Sequence, residues 1–210
     1  MKVAGKTYIA GWKTADEWKA FRKTLVPGAD PATWEKAYDD YFHMRLSLRY
    51  LKPIKVLQHH GTFQGEGFAI VAIQCTLIEF LESTVEGRSY RYRRRGDPRL
   101  GPDDYQDSSD LFVRFLTKRM PFKEEFDGDL ARDFYKNVRC GLLHEARTKG
   151  EWTIRAKTPN GKVVSAAKKT VYRDDFHAAI LHFIDWYHKE LSFDVSLQEA
   201  FIKKFDNLCT

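Results

Sequence analysis

Between residues 68 and 81 the chain is apolar on nearly every side of a helix, interrupted by Gln74 and Glu79. A helix without a solvent face must be wrapped by other elements. Residues 68–84 therefore predict a central helix of a bundle. The apolar run is too short to span a bilayer, and Met1-Lys2-Val3 opens no apolar leader. No membrane partner is expected, and the expected compartment is the cytoplasm. A chain of 210 residues can bury roughly 70% of its unfolded surface, so neither disulfide nor metal is needed for folding.

Helix signals recur along the chain. Thr14-Ala15-Asp16-Glu17 is a capping box that opens a helix to about residue 24. Asp30-Pro31 is a cap followed by Pro at the first helical position, and Trp34, Tyr38, Tyr41, Met44 and Leu48 carry helical spacing to residue 50. Pro53 is expected to end that helix. Further helices are read at residues 111–121, 129–147 and 176–191, and at 196–208 behind a capping box at Ser196-Leu197-Gln198-Glu199. Residues 88–109 lack periodicity and read as a long loop. Pro159-Asn160-Gly161 lies between Trp152-Thr153-Ile154-Arg155 and Val163-Val164-Ser165, the short-range signature of a β-hairpin. The expectation is one all-α domain over residues 1–210, with 1–28 as an N-terminal appendage and a small β-hairpin at 151–172.

Thirty-five Lys and Arg against 29 Asp and Glu leave a charge of +6, which permits an anionic partner without demanding one. Cys75, Cys140 and Cys209 are odd in number and far apart. With no Cys-x-x-Cys pair, neither a zinc site nor a disulfide framework is expected. His59-His60 has no carboxylate at a supporting spacing, and His177, His182 and His188 do not share one helix face, so no metal or other cofactor is expected. Gly61, Gly65 and Gly67 lack the Lys-Ser/Thr ending of a phosphate loop. Cys140 and His144, four apart, form a thiol–imidazole pair without a recognisable oxyanion pocket or orienting carboxamide.

The helix at 129–147 is the informative one. With about 100° per residue, Leu130, Phe134, Val138, Gly141 and Leu142 share a core face. Arg139 and His144, about 140° apart, flank the opposite side, with Lys136, Cys140, Leu143 and Arg147 between them. An outward face carrying Leu143 and Cys140 among basic residues points to a second contact surface, such as a two-fold interface. There two arginines and two histidines would gather. Histidine gives or takes a proton near neutral pH, and arginine offers a charged planar fork to phosphate oxygens.

The stretch Asn137-Val138-Arg139-Cys140-Gly141-Leu142-Leu143-His144-Glu145-Ala146 resembles the motif of the HEPN superfamily, an Arg, four to six intervening residues and then a His, late in an all-helical domain. The resemblance covers roughly residues 30–147 and implies a HEPN-like helical bundle with the motif helix at a homodimer interface. It implies a metal-independent endoribonuclease of a toxin–antitoxin or other bacterial defence type. In that reading Arg139 binds phosphate, His144 is the acid/base, the ends left are 2′,3′-cyclic phosphates, and an antitoxin or defence partner is expected. Cys140 stands where catalytic members often carry Asn, Asp or His. The alternative within the resemblance is a non-catalytic dimeric module that binds RNA or a nucleotide. A third reading is a structural bundle in which Arg139 and His144 make internal hydrogen bonds.

A second basic feature is the run holding Arg88, Arg91, Arg93, Arg94 and Arg95, interleaved with Tyr90 and Tyr92. Arginines neutralise phosphates while tyrosines stack on unpaired bases, so these residues and Arg147 are candidate contacts to single-stranded RNA. The bland alternative is a solvated loop balanced by Asp103, Asp104, Asp107 and Asp110.

Overall fold

The computed structural model describes residues 2–3, 5–61 and 64–209 and is mostly helical with small sheets. In chain order it runs β1 (Lys2–Val3), β2 (Lys6–Ala10), β3 (Lys13–Thr14), α1 (Ala15–Arg22), α2 (Pro31–Ala37), α3 (Met44–Leu46), α4 (Lys52–His60), α5 (Glu66–Val85), β4 (Ser89–Tyr90), β5 (Asp104–Tyr105), α6 (Ser108–Lys118), α7 (Gly128–Phe134), α8 (Cys140–Glu145), β6 (Thr153–Arg155), β7 (Val164–Ser165), β8 (Thr170–Tyr172), α9 (Arg173–Leu191) and α10 (Val195–Asn207). The chain divides into two compact units. One comprises Met1–Leu51, Ser83–Gln106 and Trp186–Thr210; the other comprises Lys52–Glu82 and Asp107–Asp185.

The first unit begins with an antiparallel meander, order β1-β2-β3. Thr14 and Glu17 cap α1 reciprocally, as their spacing predicts. Trp18 of α1 is fully buried; its ring meets Tyr41 at 4.9 Å and Phe205 at 5.3 Å, and its indole N–H donates to Asp206 at 2.7 Å. Residues 1–28 are therefore not an appendage: the described part supplies a central side chain of this unit. The cap of α10 lies two positions before its Ser196 signal, because the Asp194 carboxylate accepts from the amides of Ser196 and Leu197.

The helix expected to stop at Pro53 continues through it to His60, via π-helical segments at Tyr38–His43 and Ser47–Leu51. Proline removes one donor and crowds the carbonyl four residues earlier. A π turn just before Pro53 widens the helix there, so the chain passes without breaking.

In the second unit Gln74, Glu79 and Glu82 of α5 each have a partner outside the helix, while the Thr76 hydroxyl donates to the Ala72 carbonyl within it. Gln74 donates to the Arg173 carbonyl at 2.7 Å, Glu79 accepts from Arg139 at 3.3 Å, and Glu82 accepts two bonds from Arg119 at 2.8 and 3.0 Å. α5 is 20 residues long, and by length and composition alone it could cross a membrane, against the expectation that the run is too short. Ile70, Val71, Cys75, Leu77, Ile78 and Leu81 are buried within the protein. An aromatic cluster fills the same unit: Phe134 stacks on Phe176 at 5.7 Å and meets Trp152 at 5.3 Å, and Phe115 meets Phe122 at 5.2 Å and Phe183 at 4.8 Å.

The hairpin expected across Asn160-Gly161 does not form. β8 lies between the two predicted strands, parallel to β6 and antiparallel to β7, giving the order β6-β8-β7. Val171 of β8 is fully buried, whereas Asn160-Gly161 is exposed. The Glu125 carboxylate holds the amide of Val163. The hairpin that does form joins β7 to β8 through residues 166–169.

Candidate functional site

α7, a π-helical segment at Tyr135–Arg139 and α8 form one helical run from Gly128 to Glu145. Asp127 caps it, accepting from the amides of Asp129 and Leu130. Phe134, Val138 and Leu142 are buried as the wheel predicts, and Leu130 is half-buried. The run ends at Ala146, which is left-handed at φ 53°, so Arg147 lies beyond the helix instead of on its outward face. Gly141 makes this ending possible. The Arg147 amide donates back to the Gly141 carbonyl at 3.3 Å, and a Cβ at Gly141 would stand 2.5 Å from the Arg147 oxygen. The returning chain is then fixed by the Lys149 amide on the Asn137 carbonyl at 2.8 Å and by the Trp152 indole on Asp133 at 2.8 Å.

Arg139 sits at the end of the π segment, with its side chain largely covered at 16% exposure. Its Nη2 donates to Glu79 Oε2 at 3.3 Å, and the guanidinium lies over the Tyr135 ring at 5.2 Å. Burial disfavours its charge, but Tyr135, Glu79 and the Cys140 thiol together outweigh burial and raise its pKa above the ordinary arginine value. It is a cation under all physiological conditions. Guanidinium has five N–H donors, so one bond to Glu79 leaves others for an anion. Burial raises the Tyr135 phenol, which is hydrogen-bonded to Ser108 at 2.9 Å. Cys75, on the turn of α5 before Glu79, is pushed by burial up to about 12 and is no nucleophile at neutral pH.

His144 is exposed on the last turn of α8, next to Leu143 at 50% exposure. α8 is α-helical from Cys140 to Glu145, so Arg139 and His144 are separated by about 7.5 Å along the axis and about 140° around it. The two side chains leave the helix in different directions. Arg147 is exposed and bonded to Glu145, which also takes Lys149 at 3.0 Å.

The basic run belongs to the first unit, whereas Arg139 and His144 belong to the second. Arg88 is half-buried, over the Tyr105 ring at 5.7 Å, and donates to the Asp104 carbonyl at 2.9 Å. Arg91 pairs with Asp104 at 3.4 Å, Arg93 donates to the Asp97 carbonyl at 3.2 Å, and the Arg94 amide donates to the Asp97 carboxylate at 2.7 Å. Residues 91–99 are all exposed, Arg95 included, and Tyr90 and Tyr92 are 53% and 65% exposed. The Arg91 side chain is thus matched by a carboxylate, and those of Arg88 and Arg93 by carbonyls.

Among the described residues no three His, Cys, Asp or Glu side chains gather where they could hold a metal ion. The residues that sequence reasoning missed are Glu79 and Tyr135. Each left a signal: Glu79 is a carboxylate inside an apolar helix, which must find a cation, and Tyr135 stands four residues before Arg139, one turn away. Compared with protein-family models, curated proteins and solved structures, the chain matches none.

Proposed function

We propose that this protein is a HEPN-like, metal-independent endoribonuclease of a bacterial defence or toxin–antitoxin type, acting on single-stranded RNA as a homodimer. The observation that carries the reading is the placement of an exposed imidazole, His144, beside an exposed Leu143 on the helix that also holds the covered, permanently charged Arg139. In one chain the two side chains diverge. Two such helices packed about a two-fold axis through Leu143 place the His144 of each copy near the Arg139 of the other.

In that cleft one neutral imidazole takes the proton of a ribose 2′-hydroxyl while its oxygen attacks the adjacent phosphorus. The bond from phosphorus to the 5′-oxygen breaks, and the imidazolium of the second copy gives that oxygen a proton. The Arg139 guanidinia hold the charge of the five-coordinate phosphate, a contribution of about 2.7–4 kcal/mol for comparable donors. The products are a 2′,3′-cyclic phosphate and a 5′-hydroxyl. The test is cleavage of single-stranded RNA in EDTA by the wild type and by His144→Ala. Loss of cleavage in the variant supports the reading, and equal rates remove His144 from the mechanism.

The bond between Arg139 and Glu79 favours one further reading, a dimeric RNA-binding module without catalysis, since a carboxylate already occupies part of the guanidinium. Under it, Arg139→Ala and His144→Ala change RNA affinity or dimerisation while the wild type cuts nothing.

A further inference from the structure

Tyr135 has a second neighbour besides Arg139. It lines an open groove of about 390 Å³ whose other walls include Arg114, Thr117 and Ser109 from α6 and Arg132 from α7. The groove lies within the second unit and shares the motif helix. Arg132, Tyr135 and Arg139 follow one another at helical spacing along that run, so two guanidinia of the groove, Arg114 and Arg132, adjoin the residue on which Arg139 rests.

We infer that this groove is the subsite for the nucleotide flanking the cleaved linkage of a single-stranded RNA, its phosphate on Arg132 and Arg114. The assignment rests on the ribonuclease reading of Arg139 and His144 and deepens it. The volume is near the lower end of small-ligand sites. It admits one unstacked nucleotide between two helices and excludes a duplex, whose bases stay paired inside the helix. Arg132 is available: its bond to Asp129, at 3.3 Å, joins side chains 65% and 97% exposed, and such pairs hold weakly against a phosphate. Thr117 donates to the Val113 carbonyl at 2.8 Å, which leaves its oxygen free to accept from a 2′-hydroxyl or a base amine. The one carboxylate of the lining, Asp110, is exposed on α6, across the groove from Arg132.

The experiment uses the full chain and a fluorescein-labelled single-stranded RNA oligonucleotide, read by anisotropy for Kd and by gel for kcat and KM, in EDTA at several salt concentrations. Arg132→Glu is compared with Arg155→Glu, an exposed arginine outside the groove that makes the same change of net charge. The expected result is a rise of about tenfold in Kd and KM for Arg132→Glu with kcat nearly unchanged. Its salt slope should also be smaller by about 0.7, one phosphate contact to a single strand. Arg155→Glu should leave the slope as in wild type. A wild type that cuts RNA while Arg132→Glu keeps its KM and slope overturns the subsite and leaves the ribonuclease reading standing. A wild type that binds but never cuts overturns the ribonuclease reading, and the Kd and slope of Arg132→Glu then decide the groove alone. A wild type that neither binds nor cuts overturns both.

Discussion

Glu79 and Glu82 stand three residues apart on α5, and each meets an arginine from outside that helix. Glu82 is fully buried and receives two parallel bonds from Arg119, at 2.8 and 3.0 Å. Glu79 is partly open and receives one bond at 3.3 Å from Arg139, whose guanidinium also rests on an aromatic ring. The first pair engages both oxygens of a carboxylate that solvent does not reach. The second holds its carboxylate by one bond and leaves it in contact with solvent. Both are salt bridges, but they differ in how firmly the carboxylate is held.

The largest expected effect lies on the tight pair. Arg119→Ala removes the cation that makes two bonds to a buried carboxylate and should cost about 3–5 kcal/mol in urea unfolding. Arg139→Ala should cost less, because the Glu79 carboxylate keeps contact with solvent, so the two unfolding curves measured side by side test the contrast; similar losses would erase it. Activity should rank the other way. Arg139→Ala is expected to lower kcat for RNA cleavage by about 10²–10³-fold, whereas a stabilised variant of the Arg119 pair should cleave normally.

The polar positions of α5 also mark how far the sequence alone could be read. The apolar face of α5, the capping box at Thr14, and Phe134 and Val138 on the core side were legible because each is set by spacing within one element. What was not legible depends on partners distant in the chain. Pro53 reads as a stop until a π turn is seen to absorb it. Asn160-Gly161 reads as a hairpin until β8 takes the place between the strands. Asp194 is the cap in place of Ser196, because the first free amides fall two positions earlier. At the site, Arg139 and His144 could be picked out as a motif, but the carboxylate that steadies Arg139 lies sixty residues away on α5.

A smaller effect sharpens the contrast further. Glu79→Gln keeps the acceptor but removes the competing charge beside Arg139. RNA should then bind about threefold more tightly in anisotropy measurements; weaker binding would mean that the carboxylate's main service is orientation. Substituting Arg93, Arg94 and Arg95 together by Ala should spare kcat, since that run belongs to the first unit and Arg139 and His144 to the second. An effect on kcat as large as that of Arg139→Ala would move the site to the first unit.

The least of these effects is on pH dependence. Burial lowers the pKa of His177, against an opposing pull from Asp174. The unfolded chain therefore binds the proton more readily than the native one, and stability rises with pH across that window. The stabilising difference is complete above the ordinary histidine pKa, about 6.5, and is lost as pH falls towards the native value. Urea midpoints taken between about pH 7.5 and pH 5.5 should fall, and His177→Gln should flatten that decline; an unchanged slope would show that other groups set it.

The π segment at Tyr135–Arg139 amounts to one residue more than an α-helix needs. Deleting a single codon there would let the helix close up as an α-helix, and because the wide turn spreads about one circle over an extra residue, Leu143 and His144 would keep nearly the same direction relative to Phe134. The change would fall on the wide turn itself, where Tyr135 and Arg139 stand. The seat of the guanidinium can therefore be altered in one genetic step without rebuilding the core beneath it.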